Sequence, residues 1–239
     1  MFNTLFYAPI YNVLVWFIDI IPSHDAGIAL VLVTLLVSTL LFSVSKKAIK
    51  TQIGLKEIEP DIKKIKETIK DPAEQARQTM ALYKKHKVNP FSMILLILIQ
   101  FPVLIALYYM FFYGLPVIHT ELLYSFVQNP PVVNMNFLGI VDLSHKSIVL
   151  AVLAGLTQFI QAYIMSKRTV AAAPAAGQKR SMQEEFAHSM QVQMKYFLPV
   201  IIGLISMGLP SALPLYWSVR NLFSAGQEVF IMKDKKVNK

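Results

Sequence analysis

Apolar residues in this chain gather into long runs, and five of them approach the roughly 20 residues a helix needs to cross a hydrocarbon core of about 30 Å. They cover 26–45 (first span), 91–113 (second), 147–165 (third), 196–208 (fourth) and 213–231 (fifth). The fourth is short. Only Leu209, Pro210, Ser211 and Ala212 divide it from the fifth, so a tight antiparallel hairpin is expected there.

Between the first two runs the pattern changes to an amphipathic one. Ile49, Ile53, Ile58, Ile62, Ile65 and Ile69 recur mostly at three- and four-residue steps among lysines and glutamates, which makes one apolar stripe on a helix. Asp71, Pro72 and Glu74 then read as a helix start with a capping box, and Ala73, Ala76, Met80 and Tyr83 supply a second stripe. Residues 46–90 are therefore expected to form a helical hairpin. Residues 1–25 mix Phe2, Phe6, Tyr7, Ile10, Leu14, Trp16, Phe17 and Ile21 with Asn3, Thr4, Asn12 and Asp19. An interfacial amphipathic helix fits this segment, because Pro22 and Asp25 leave only a short turn before Ala26. The expected fold class is all-α: a polytopic membrane protein of five transmembrane helices with a cytoplasmic helical hairpin.

Charge orients this arrangement. Of 23 Lys and Arg, 12 lie in the hairpin segment, 5 in the loop 166–195 and 4 in the tail 232–239, whereas residues 1–25 and the loop 114–146 contain only Lys146. By the positive-inside rule the N-terminus is outside and the C-terminus cytoplasmic. The net charge of +9 thus describes particular loops, and a hydrophobic share of 55% with a mean hydropathy of +0.50 agrees with a membrane class. No cysteine is present, which excludes disulfides, thiolate metal sites and a cysteine nucleophile. Five scattered histidines have no metal-ligand spacing, and no phosphate-binding motif or convergent nucleophile and base occurs. No cofactor and no enzymatic activity are expected. The N-terminus lacks a basic residue before its apolar run and a small-residue cleavage site after it, so it reads as mature sequence. Its poverty in Arg and Ser favours a prokaryotic plasma membrane over an organelle.

Polar residues inside the runs are the candidate chemistry. Thr34, Ser38 and Ser45 share a face of the first, Gln100 precedes Pro102 in the second, and Gln158 and Gln161 share a face of the third. In the fifth, Tyr216, Trp217, Arg220, Ser224 and Gln227 fall on one face. Such groups can simply hydrogen-bond across helix contacts, and for Thr34, Ser45 and Gln100 that explanation is as good as a functional one. Arg220 is different: a central Arg costs roughly 2.5–3.5 kcal/mol on insertion scales. It lies about 16 Å of helix from the cytoplasmic end, too far to reach the interface easily. A water-filled cavity among these faces is expected. Glu228, nearer the inner end, is expected at the interface.

Four stretches together resemble the YidC/Oxa/Alb family of membrane protein insertases: KEIEPDIKKIKE (56–67), ALYKKHKVNPF (81–91), LIQFPVLIALYYMFF (98–112) and LPSALPLYWSVRNLFSAGQ (209–227). The resemblance covers nearly the whole chain in the right order. It implies a groove open to cytoplasm and lipid, closed toward the outside and carrying a positive charge, through which newly made membrane proteins pass without nucleotide hydrolysis. It departs at one point. Relatives carry the groove Arg in the first span, within a pattern like T-x-x-V-R-x-x-L-F-P, whereas here TLLVSTLLFS puts Ser38 at the Arg position and Ser43 at the Pro position. Arg220 instead stands where relatives commonly have a neutral residue. The implied partners are nascent membrane proteins and the lipid bilayer, with the ribosome and a Sec translocon open as further ones. Lys233, Lys235, Lys236 and Lys239, with Lys167, Arg168, Lys179 and Arg180, suit contact with ribosomal RNA phosphates or lipid, and serve equally as a topology signal. Alternative readings are a small transporter or channel, and a chaperone that shields spans without inserting them.

Overall fold

The structure, a computed structural model, describes residues 2–89, 91–169, 189 and 192–237. A π-helical turn, Asn3–Tyr7, leads into α1 (Ala8–Ile20), followed by α2 (Ala26–Leu40), α3 (Phe42–Glu57), α4 (Glu59–Thr68), α5 (Pro72–Lys85) and α6 (Phe91–Tyr109). After a second π turn, Met110–Gly114, comes a loop with two short antiparallel strands, β1 (Asn136–Phe137) and β2 (Val141–Asp142). Then follow α7 (Ile148–Thr169), a third π turn at Gln193–Phe197 that runs into α8 (Leu198–Ser206), and α9 (Ala212–Val237).

Burial in this chain is concentrated at one end of the bundle. Leu14, Val15 and Ile18 of α1, Leu30 and Val33 of α2, Leu107 of α6, Met110, and Leu215 and Tyr216 of α9 form one apolar cluster with Leu143 of the loop. Asn12 joins it: 2% exposed, its amide donates to the carbonyls of Ala8 and Leu122, and its oxygen accepts from the Tyr124 N–H. The Tyr11 hydroxyl likewise accepts from the His119 N–H, and burial pushes its pKa up despite that bond. Hence α1 lies against the bundle under the loop, with Trp16 and Ile20 exposed, as is Leu5 of the π turn before it. Further round the loop, burial acts to raise the Asp142 carboxyl, but the Ser144 N–H and His145 outweigh it and hold it below its ordinary value.

Elsewhere large apolar side chains face outward. On α7, Ile148, Val149, Val152 and Leu156 are each about half exposed or more, as lipid-facing positions are. By length and composition Ile148–Lys167 alone passes as a straight span among the described residues, and Ala26–Leu40 with Phe42–Glu57 passes as a bent pair. Two others fall short for visible reasons: α8 with its π turn has an apolar length limited to Gln193–Ser206, and α9 carries Arg220 and Glu228.

Three local expectations need correction. The first run is not one straight helix, for α2 and α3 are bent by 59° at Leu41. Thr34 and Thr39 donate their hydroxyls to the carbonyls of Leu30 and Leu35, the kind of back-bonding that bends helices. Second, the isoleucine stripe is divided at Ile58, because Pro60 has no N–H to continue α3 and instead opens α4. Ile58 itself is buried, and Gly54 lets α3 approach Val88, whose methyl would lie 2.8 Å from an added Cβ. Third, α8 and α9 are joined by a short turn but do not pack along each other; each packs along α7. The small residues Gly155 and Gly203 permit the α7–α8 approach, a Cβ on Gly155 falling 3.1 Å from the Pro199 carbonyl. The turn is tied instead to the loop, where the Ser211 N–H and hydroxyl both donate to the His145 carbonyl.

At the other end α4 and α5 pack as a pair. Asp71 caps α5, accepting from the N–H groups of Ala73 and Glu74, while the Glu74 carboxylate faces forward to Gln78 and Arg77 and not back as a capping box requires. No residue of either helix is fully buried. With so thin a seam, replacing Ile62 and Ile65 by Asp is expected to melt α4 and α5 without disturbing the other helices. Amide hydrogen exchange checks this, and slow exchange across 59–85 in that variant would contradict the packing.

Candidate functional site

The stripe Tyr216, Arg220, Ser224 repeats every four residues along α9, and α9 turns it toward α6 and α2. Gln100 of α6 meets it. The Arg220 Nε donates to Gln100 Oε1 at 3.2 Å and its Nη1 to Ser224 Oγ at 2.9 Å, while Gln100 Nε2 donates to the Tyr216 hydroxyl. One glutamine thus holds both the guanidinium and the phenol. The partners of Arg220 are neutral, and among the described residues no carboxylate comes within ion-pair distance of it.

Two spaces flank this relay. On the α2 side Thr34, Ser38 and Val37 close against Gln100, Tyr216 and Arg220, leaving no room for a water molecule. Thr34 and Ser38 are each 2% exposed, and the Thr34 hydroxyl is spent on the Leu30 carbonyl. On the other side a cavity of about 270 Å³ is lined by Gln100, Phe101, Gln161, Trp217, Arg220 and Ser224, together with Asn221. A water occupies about 10–15 Å³ on this measure, so the guanidinium has ample space for hydration without leaving the helix bundle. The open space beside Arg220 lies between α6, α7 and α9, and Ser38 lines the closed space on its other side.

Of the remaining expected residues, Gln158 is half-buried on α7 and Gln227 is buried on α9, but neither lines this cavity. The Gln227 Nε2 and the Ser45 hydroxyl have no hydrogen-bond partner among the described residues. Glu228, expected at the membrane interface, is buried within the protein at 4% exposure. Sequence reasoning passed over Asn221, 6% exposed, whose amide donates to Thr157 Oγ1 at 3.5 Å across the α7–α9 contact. The signal was available, since Asn221 is a polar residue inside an apolar run, one position beyond Arg220. Lys233 is exposed on α9. Lys235 and Lys236 fall on its last turns, and Lys179, Arg180 and Lys239 lie outside the described residues.

A half-buried cation with neutral hydrogen-bond partners, beside a cavity with room for water, can attract acidic groups and lower the cost of bringing polar chain into a membrane. The family described as 60Kd inner membrane protein matches residues 16–239. A protein of Clostridium tetani called membrane protein insertase YidC is 32% identical over 89% of this chain and 84% of its own length. One of the same name from Oceanobacillus iheyensis is 29% identical over 100% of this chain and 86% of its own. In the Wolinella succinogenes protein of that name, 30% identical, the whole chain matches 39% of the longer sequence.

Proposed function

Because this chain belongs to the 60Kd inner membrane protein family, we infer that it is a membrane protein insertase of the plasma membrane, which inserts and helps fold newly made membrane proteins without nucleotide hydrolysis. The observation that carries this reading to particular residues is the half-buried Arg220, held by Gln100 and Ser224 at the wall of a cavity with polar lining. A substrate's short polar segment would enter this cavity, where water and the polar side chains replace part of its hydration. Its apolar helix would meanwhile move into lipid along α7 and α9. Burial of that helix drives the exchange, and an acidic segment moving outward gains about 2.3 kcal/mol per charge per 100 mV of membrane potential.

In this reading the N-terminus and the loop holding β1 and β2 are external, and α3 to α5 with the end of α9 are cytoplasmic, following the lysine and arginine bias. The apolar cluster then seals the outer end, and Arg220 lies on the inner side of the seal. Purified protein reconstituted in liposomes tests the function with a single-span substrate: the translocated segment should become protease-protected with this protein and stay degraded in empty liposomes. Equal protection in both would remove the reading.

The basic tail extends the proposal to the ribosome. Deleting 233–239 removes four lysines, and is expected to weaken ribosome co-sedimentation by about tenfold at low salt and to make its salt dependence shallower. Unchanged sedimentation would leave those lysines as a topology signal alone.

A further inference from the structure

Two lysines from different elements converge on one ring at the end of α7. Lys167 Nζ of α7 and Lys195 Nζ of the π turn before α8 each lie 4.7 Å from the centroid of Tyr163, and Lys195 is also 5.1 Å from that of Tyr196. Their ammonium groups are therefore at most 9.4 Å (twice 4.7 Å) apart. Phe159 extends the platform, its ring 6.2 Å from Tyr163 and 6.0 Å from Tyr196. Among the described residues neither lysine has a carboxylate within ion-pair distance. Cation–π contact orients both side chains but neutralises neither charge.

We propose that this shelf at the α7–α8 seam binds the phosphate of an anionic phospholipid, with Lys167 and Lys195 on the headgroup and the aromatic rings beneath it. Two ammonium groups on one ring, at most 9.4 Å (twice 4.7 Å) apart, favour an anion that can meet both, and a phosphodiester offers two free oxygens for that. The surface next to the lysines selects a lipid over another phosphate source. Leu156 of α7 and Val200 and Leu204 of α8 are 56%, 59% and 61% exposed, so apolar side chains continue along the seam where acyl chains would lie. Tyr163 and Tyr196 have the amphipathic character of residues that sit at headgroup level. The seam exists because Gly155 and Gly203 bring the two helices together, a Cβ on Gly155 lying 3.5 Å from the Gly203 Cα. None of these groups lines the Arg220 cavity, which opens between α6, α7 and α9. The site is thus separate from the one through which substrate is proposed to pass. Its placement in the inner leaflet, though not the binding itself, rests on the orientation given above.

The test uses the full chain in detergent, titrated with phosphatidylglycerol or phosphatidylcholine and read as lipid adducts by native mass spectrometry. Wild-type protein should bind a first phosphatidylglycerol more tightly than phosphatidylcholine. The variant Lys167→Gln/Lys195→Gln should lose about tenfold or more of that affinity, with phosphatidylcholine unaffected, and Lys195→Gln alone should fall between. Thermal melting checks that each variant is folded, and the single variant carries the test if the double one is not. Undiminished phosphatidylglycerol binding in a folded variant overturns the proposal. So does displacement of the lipid by millimolar inorganic phosphate, which would mean a bare anion site, or a loss confined to binding of a short RNA. In cells, a Val192→Cys label added from outside would move the site to the other leaflet and refute the orientation, while the detergent result would stand.

Discussion

Arg220→Asn is expected to reduce insertion of an acidic-tailed substrate by tenfold or more while the protein stays folded, and adding Ser38→Arg is expected to restore much of that activity. Ser38 and Arg220 border the same closed space from α2 and α9, so a guanidinium grown from position 38 points to the volume that the shortened position 220 vacates. Attraction to a carboxylate in a partly wet site depends on distance and dielectric, not on which helix bears the charge. The order of the changes matters as well. Ser38→Arg alone should lower expression, because Ser38 is 2% exposed and the space beside it admits not even a water. Overpacking there costs about 1–3 kcal/mol, and two guanidinium groups would also repel. If Arg220 only anchors α9 to α6, Gln100→Ala, which removes its partner on α6, should impair insertion as much as Arg220→Asn does. Complementation in an insertase-depleted host, with protein levels measured, decides. Normal insertion by Arg220→Asn, or a stably expressed double variant without activity, would sink the idea of a relocated charge.

The second large effect is on stability. Asp25→Ala should cost about 2–5 kcal/mol, seen as a lower melting temperature in detergent and as protease nicking between β1 and α7. Asp25 is 2% exposed, and its carboxylate accepts from the N–H groups of Gly27 and Ile28, capping α2, and from that of Leu138 in the loop. Loss of a cap is worth about 0.5–2 kcal/mol and an orphaned buried N–H about 1–3. The flanking backbone depends on the same residue: Ala26 N–H donates to Asn134, and Asn134 N–H to His24. Beside it the Phe137 ring sits so close to Gly27 that an added Cβ would be 2.4 Å away. Asp25→Asn keeps one acceptor and should fall between. Wild-type melting in Asp25→Ala would mean that the loop is held by other contacts.

How far residues foretell structure differs from one part of this chain to the next. The α9 stripe was legible because helical period alone puts Tyr216, Arg220 and Ser224 on one line, and a membrane-embedded Arg must be accommodated. Gln100 was legible as an unusual polar residue, but not as the group that joins Arg220 to Tyr216, since pairing across 116 and 120 residues leaves no local trace. The bend at Leu41 was hidden for a different reason: neither Pro nor Gly marks it, and whether Thr34 and Thr39 turn their hydroxyls back onto the helix is not written in their spacing. Pro60, by contrast, announces the division at Ile58 in plain sight, since a residue without an N–H cannot continue α3 even where the isoleucine spacing does. The separation of α8 from α9 was not readable from a four-residue connection, because what decides it is the fit of Gly155 to Gly203, a tertiary match between distant positions.

The short helices have a consequence for the bilayer itself. At 1.5 Å per residue the 15 residues of α2 before its bend reach about 22 Å, and the five-residue π turn with the 9 residues of α8 about 21 Å, against a hydrocarbon core of about 30 Å. Lipid beside such elements thins to match them, at a cost of a fraction of a kcal/mol per Å. α7 at 22 residues, and α9 with residues 213–231 in its span, are long enough for nearly undistorted lipid, so a bilayer around the protein would be expected to vary in thickness along its perimeter. A polar chain segment crossing on the thin side has a shorter apolar path before it meets water again, and the lipid deformation, already sustained by α2 and α8, is not charged to each passing substrate.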